Sequence, residues 1–188
     1  MSGSSPSFFV ITGGPGSGKT TLIQALAAAG YATQPEAGRR IIRQQQETGG
    51  RALPWIDPLA FAKTMLVYDL ESYAGAGNLP RPVFFDRGIP DIVGYLRLEG
   101  IPVPAPVLQA ANSHRYQPHV FICPPWPAIY AADNERKQTP VVAERTYEAM
   151  VEVYTALDYM LIEIPRVPAA ERVRFVQDFL RDNAGAPP

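Results

Sequence analysis

The 188 residues carry a formal net charge of −1, with 46% apolar and 19% charged residues. That balance suits an ordinary globular domain with enough chain for one hydrophobic core. No clustered run of Lys and Arg stands out, which argues against a nucleic-acid partner, and no apolar stretch approaches the roughly 20 residues of a membrane span.

In chain order, apolar strands alternate with helical patterns. Phe8 to Thr12 is a short β-branched and aromatic run, as expected of a strand buried on both faces. A helix then starts near Lys19, carries Leu22, Ile23 and Leu26 on one face, and stops at Gly30. Tyr31 to Gln34 can form a second strand, and Glu36 to Glu47 a helix ended by Gly49-Gly50. Asp57-Pro58 opens another helix, Asp as N-cap and Pro in the first helical position, with Phe61, Met65, Leu66, Leu70 and Tyr73 as its apolar stripe. Val83 to Asp86 reads as the third strand, followed by helices over Pro90 to Leu98 and Pro104 to His114. Val120 to Cys123 is the fourth strand; Cys123 excludes an intrachain disulfide, being the sole cysteine, and reads as a small buried hydrophobe. Pro124 to Gln138 is polar and proline-bearing, Pro140 to Leu157 a long helix, Met160 to Ile164 the fifth strand and Ala169 to Leu180 the closing helix. Strands separated by helices predict a three-layer α/β/α domain around a five-stranded parallel sheet. The expectation is a single domain with an ordered core over about 8–181 and loose ends at Met1 to Ser7 and Asp182 to Pro188. The chain opens with no charged-then-apolar leader, so a cytoplasmic monomer or homodimer is expected.

The strongest chemical signal is Gly13-Gly14-Pro15-Gly16-Ser17-Gly18-Lys19-Thr20, which fills every fixed position of G-x-x-x-x-G-K-[ST] between a strand and a helix. Gly13, Gly16 and Gly18 let the backbone turn so that its N–H groups point at phosphate oxygens. The helix N-terminus, with Thr21 in its first turn, adds partial positive charge. Lys19 can bridge the β- and γ-phosphates and the Thr20 hydroxyl can bind Mg²⁺, so ATP or GTP with Mg²⁺ is the expected ligand set.

Three further clusters follow. Asp86, at the end of the third strand, stands where a ligand to the metal or its water shell belongs, although the same Asp could cap the next helix. Glu36 follows the second strand, where a carboxylate can orient an acceptor hydroxyl and take its proton, or serve only as a first-turn helix acid. Arg39 and Arg40 read equally as a solvated face or as substrate ligands. Asp133 to Lys137 is a charged loop from which Arg136, or failing that Lys137, could reach a transferring phosphoryl group.

With these residues in this order, the chain from Phe8 to about Leu180 resembles the NadR-like group of P-loop ATPases and kinases, which includes ribosylnicotinamide-kinase-like domains. The features that carry the likeness are the GGPGSGKT loop, Glu36-x-x-Arg39, Asp86-Arg87-Gly88 and Asp133-x-x-Arg136. Small P-loop kinases of this kind imply the strand order 2-3-1-4-5, a lid over about 124–138, an Asp86 that contacts the metal shell and an Arg87 that holds substrate or the transferring phosphate. They also imply purine recognition at Pro165-Arg166-Val167-Pro168. Some members of the group are kinases and others have no settled reaction.

Three functions are compatible with this reading. In a small-molecule kinase, Lys19, Mg²⁺, Arg87 and Arg136 supply charge and Glu36 orients a nucleoside-like or other small acceptor. The helical segment Asp57 to Tyr73 walls the acceptor pocket, and Trp55, Phe61, Tyr68 and Tyr73 either stack on a ring or belong to the core. In a nucleotide-controlled binding module, no acceptor pocket is needed; the chain lacks the Asn-Lys-x-Asp guanine-reading motif. An oligomeric AAA motor fits worst, because no helical lid domain follows the last strand.

Overall fold

The structure, a computed structural model, describes residues 7–129 and 139–183. Five strands, β1 (Phe8–Gly13), β2 (Ala32–Gln34), β3 (Val83–Asp86), β4 (His119–Cys123) and β5 (Met160–Glu163), form one parallel sheet in the order β2-β3-β1-β4-β5. The helices are α1 (Lys19–Ala28), α2 (Ala37–Thr48), α3 (Pro58–Ala76), α4 (Ile89–Leu98), α5 (Ala105–Ser113), α6 (Pro140–Ala156) and α7 (Ala169–Asp182), with a 3-10 turn at Pro127–Ile129.

Side chains alternate across β1 with the period of two that a strand imposes. Phe9 and Ile11 pack with Leu22, Ile23 and Leu26 of α1 and Val173 and Val176 of α7. Phe8 and Val10 face the other way, toward Met150 and Tyr154 of α6 and Tyr73 of α3. The central strands β1 and β3 are buried along their whole length, which is why they read as unbroken apolar runs. Each Leu or Phe so buried contributes roughly 1.5–3 kcal/mol. The layers are therefore α1 and α7 on one face and α3, α4, α5 and α6 on the other: a three-layer α/β/α P-loop NTPase fold.

Register carries the strand ends to one edge. Ile11 lies opposite Asp86 of β3, while Gly13 lies opposite Cys123 of β4. The first turn of α1, the end of β3 and the end of β4 thus open onto the same crevice, where ligands of open parallel sheets bind.

Local signals place most boundaries. Asp57 accepts a hydrogen bond from Ala60 N at 2.8 Å, and Pro58 starts α3. Gly49 closes α2 at φ 68°. Three expectations shift. Tyr31 stays outside β2 and stands edge-on to Phe84. β5, an edge strand with Met160 half-exposed, stops at Glu163 and leaves buried Ile164 just outside it. Asp182 belongs to α7 rather than to a loose end, because the helix runs two residues beyond its last apolar residue, Leu180.

Candidate active site

The loop between β1 and α1 turns through three glycines at positive φ, Gly13 (132°), Gly16 (71°) and Gly18 (79°). Two of these also lack room: a Cβ at Gly13 would sit 2.3 Å from the Cys123 carbonyl oxygen, and one at Gly18 2.5 Å from Arg172 Nη1. Inside the loop, buried Lys19 donates to the Gly14 carbonyl at 2.5 Å and to Ser17 Oγ at 3.3 Å, and Ser17 Oγ donates to the same carbonyl at 2.8 Å. Thr20 is half-buried at the start of α1, beside exposed Thr21.

Arg172 braces this loop from behind. Buried on α7, it donates to the Gly18 and Ser17 carbonyls at 3.1 and 3.2 Å and to Cys123 Sγ at 2.9 Å. Cys123 is buried as expected, and burial pushes its thiol pKa up. In the stretch after β5, where purine recognition is expected, Arg166 donates to the Pro125 carbonyl at 2.9 Å and lies 4.0 Å from Glu163.

At the end of β3, Asp86 is buried and its Oδ1 has no hydrogen-bond partner among the described residues. Burial and then the Glu36 charge push its carboxyl up to about 6, against the pull of Lys19 and Arg87. Lys19 in turn is lowered to about 8, chiefly by burial and next by Arg87, with Asp86 and Glu36 opposing. Lys19, Glu36, Asp86 and Arg87 thus lie within electrostatic reach of one another, and Arg87 contacts Glu36 directly at 3.4 Å.

Arg87 adopts φ 71°, a left-handed conformation uncommon outside glycine. It is held there by two carboxylates, Glu36 at 3.4 Å and Asp91 at 2.9 Å. Burial works against its charge, but Glu36, Asp91 and Asp86 outweigh that and keep the guanidinium protonated. Asp91 is a hub: it also accepts from Thr12 Oγ1 (2.6 Å), the Gly88 N–H (3.0 Å) and the Tyr154 hydroxyl (2.6 Å). Four elements, β1, the β3–α4 turn, α4 and α6, are thereby tied to the orientation of one arginine. Glu36 also accepts from Arg39 Nε at 3.2 Å.

Beyond Glu36 and Arg87 lies a cavity of ≈ 990 Å³, reaching from Pro15 of the phosphate loop to α3 and α6. Phe61, Met65 and Asp69, one helical turn apart on α3, form its far wall. Gly38 at the start of α2 lies among Phe61, Met65 and Glu36: the position a Cβ there would take is 3.5 Å from Phe61 Cζ, 3.6 Å from Glu36 Oε1 and 3.8 Å from Met65 Sδ.

Of the aromatics expected at this wall, Phe61 and exposed Trp55 line the cavity. Tyr68 does not; its hydroxyl bonds Gln44 and its ring lies under Arg40 at 4.6 Å. Tyr73 belongs to the core, edge-on to Phe8 and Tyr116 and donating to the Arg115 carbonyl at 2.6 Å. Arg136, Asp133 and Lys137 of the expected lid lie outside the described residues. Sequence reading missed Asp69, Asp91, Tyr154 and Arg172. Asp69 had a signal, an acid at the i+4 and i+8 positions of the apolar stripe from Met65 and Phe61. Arg172 had none, since its partners lie 49, 154 and 155 residues away.

A divalent cation suits these donors. Among the described residues no cluster of three His, Cys, Asp or Glu side chains surrounds a metal position, so the ion would be held by the Thr20 hydroxyl, by Asp86 and by the nucleotide's own phosphates. The orphaned Asp86 Oδ1 is the observation that fits it.

Among solved structures, deoxyadenosine kinase from M. mycoides with bound dATP aligns with a TM-score of 0.59 at 14% identity, over 93% of this chain and 99% of that one. Shikimate kinase from Acinetobacter baumannii in complex with shikimate gives 0.53 at 16% identity, over 96% and 95%. Shikimate kinase from Aquifex aeolicus vf5 gives 0.52 at 15% identity, over 96% and 99%. At these identities the likeness concerns the fold, which is kinase-like. No curated protein matches the sequence. A family model described as an AAA domain matches residues 8–172, a stretch that takes in the phosphate loop, the β3 acid and the helices behind them; the chain belongs to that AAA-domain family.

Proposed function

We propose that the protein is a nucleoside-triphosphate-dependent kinase that phosphorylates a hydroxyl of a nucleoside-like or other small acceptor. The observation that carries this reading is the cavity running from Pro15 to Asp69 with Glu36 and Arg87 on its wall. A nucleotide switch needs no second cavity beside its phosphate loop; a kinase needs one within reach of the γ-phosphorus.

Lys19 and the loop N–H groups hold the β- and γ-phosphates. A bound Mg²⁺ would neutralise charge on the phosphates as the bridging oxygen leaves. In the transfer, the acceptor oxygen forms a bond to the γ-phosphorus, the bond from that phosphorus to the β–γ bridging oxygen breaks, and nucleoside diphosphate departs. The acceptor's proton passes to the Glu36 carboxylate. Arg87, fixed by Asp91, faces the developing charge. Arg136 is a proposed second cation.

One observation favours the alternative, a nucleotide-binding ATPase or GTPase module without an acceptor: Glu36 is engaged by Arg39 as well as Arg87, as a structural acid would be. ADP release measured across a panel of nucleosides, ribosides and polyols, with a no-acceptor control, separates the two. Stimulation by an acceptor, lowered about 10²–10⁴-fold in Glu36→Gln with ATP affinity retained, is the kinase result; the lower end is expected, because a loose transition state asks little of a base. Slow release that no panel member stimulates and that Glu36→Gln leaves unchanged refutes the kinase reading.

A further inference from the structure

A carboxylate offers about four acceptor sites, and those of Asp91 are all taken. Oδ1 accepts from Thr12 Oγ1 at 2.6 Å and Arg87 Nη1 at 2.9 Å; Oδ2 accepts from the Gly88 N–H at 3.0 Å and the Tyr154 hydroxyl at 2.6 Å. An arginine facing a carboxylate frequently pairs through two parallel hydrogen bonds. Arg87 makes one, because the second oxygen is already engaged. The consequence falls on the guanidinium. Its Nε lies 3.4 Å from Glu36 Oε1 and its Nη1 is bound to Asp91, while its Nη2 forms no hydrogen bond among the described residues. Arg87 lines the cavity together with Glu36 and Pro15, so the donor left over is the one a ligand can use.

This network begins one residue from the phosphate loop. Thr12 precedes Gly13, and the Arg87 N–H donates to the Ile11 carbonyl at 3.0 Å. Among its charged neighbours, buried Lys19 feels Arg87 most. The two hydroxyls that fill Asp91 are rigidly placed. Thr12 and Tyr154 are both fully buried, and the Tyr154 ring packs against Tyr159 at a centroid distance of 5.4 Å. Neither hydroxyl has water as an alternative partner. Tyr154 also sits on α6, whose Ala143 carbonyl closes on Gly14 of the phosphate loop.

We propose that Tyr154 and Thr12 are positioning residues for phosphate discrimination. Their hydroxyls occupy Asp91 so that Arg87 keeps Nη2 open for the γ-phosphate, and Arg87 thereby tells a nucleoside triphosphate from a diphosphate. The inference rests on the reading of Arg87 as a ligand of the transferring phosphate, and it holds whether or not an acceptor exists. Without the Tyr154 hydroxyl, Asp91 Oδ2 is free to turn toward Nη2. The pair then becomes bidentate, and Arg87 is withdrawn from the phosphate. Loss of the Thr12 hydroxyl releases Oδ1 and loosens the same carboxylate.

The test reads nucleotide binding alone. The magnesium complexes of ADP and a non-hydrolysable ATP analogue, and their guanine counterparts, are titrated calorimetrically into wild type, Arg87→Gln, Tyr154→Phe, Thr12→Val and Thr12→Ser. Wild type should prefer the triphosphate. That preference should fall about tenfold in Arg87→Gln and in Tyr154→Phe, the low end for a hydrogen bond to a charged group, while diphosphate affinity changes less than about twofold. Thr12→Val should shift the ratio in the same direction, and Thr12→Ser, which keeps the hydroxyl, should restore it. A packing defect would weaken both nucleotides equally. That result, or an unchanged ratio in Tyr154→Phe when Arg87→Gln loses it, overturns the inference and leaves the role of Arg87 standing. An unchanged ratio in Arg87→Gln, or a wild type without preference, sinks both. Should Tyr154→Phe fail to fold, Thr12→Val against Thr12→Ser decides by the same ratio. Failure of every acceptor to stimulate turnover sinks the kinase reading and leaves these ratios as they are.

Discussion

At the residue scale, Lys19 carries the clearest prediction. Its ammonium is buried within the loop, where burial and Arg87 lower its pKa to about 8. Lys19→Ala should cost about 2–5 kcal/mol of ATP affinity, the scale of losing a buried contact to a charged group; normal ATP and GTP titrations in that variant would refute the phosphate-site assignment. The charge has a pH signature. Phosphate binding needs the ammonium, so affinity in wild type should fall as pH rises through about 8, and the weak affinity of Lys19→Ala should lack that step. Stability moves oppositely. The unfolded lysine holds its proton up to about 10.5, so between about 8 and 10.5 the unfolded state binds more protons, and the cost of burying the charge is relieved as pH rises. Arg87 makes the complementary point. The Asp-Arg pair was visible in the sequence, but its φ of 71° and its capture by Asp91 were not. Those depend on where α4 sits relative to β1 and α6.

At the scale of elements, the phosphate loop is held on two sides, by α7 through Arg172 and by α6 through close backbone contact. A Cβ on Gly14 would lie 2.3 Å from the Ala143 carbonyl oxygen of α6, a backbone atom that cannot swing aside. Gly14→Ala should therefore destabilise the protein by about 1–3 kcal/mol, the usual cost of overpacking, and weaken nucleotide binding as the loop shifts. Thermal melts with and without ATP would check it, and an unchanged melting temperature would show that α6 yields freely. The sequence marks Gly14 as an unconstrained x position of its motif; only the approach of α6 makes it a packing residue. The α3 stripe teaches the same lesson in reverse. Its period was legible, yet Tyr73 went to the core and Asp69 to the cavity. Periodicity orders residues around a helix without saying whether the facing surface is a neighbour or a void.

At the scale of the whole molecule, the carboxylates around the crevice give the fold a pH dependence. Asp69 is pushed up to about 8, mainly by burial, from an ordinary value near 3.8. The folded state then holds a proton that the unfolded chain releases, so this group's contribution falls as pH rises from about 4 to about 8. Asp69→Asn should remove that part of the slope: relative to wild type, its melting temperature should be higher at pH 8.5 than the same comparison gives at pH 5. An identical difference at both pH values would mean that Asp69 titrates normally and faces water.

The three-layer architecture, the phosphate loop and the places of Glu36, Asp86 and Arg87 at or just beyond strand ends are legible in the residues alone, because each follows from local rules. Strand and helix periods, capping residues and a glycine-rich turn act over a few residues and leave their mark in adjacent letters. The tertiary structure decided what those residues do to one another. The Asp91 hub joins residues 63 and 79 positions apart, and Arg172 reaches 154 positions back to Gly18. The cavity exists because α2, α3, α4 and α6 fail to fill the space beyond Glu36. Such partnerships arise when the sheet brings distant ends together, and the shape of what remains unfilled is a property of the packed whole.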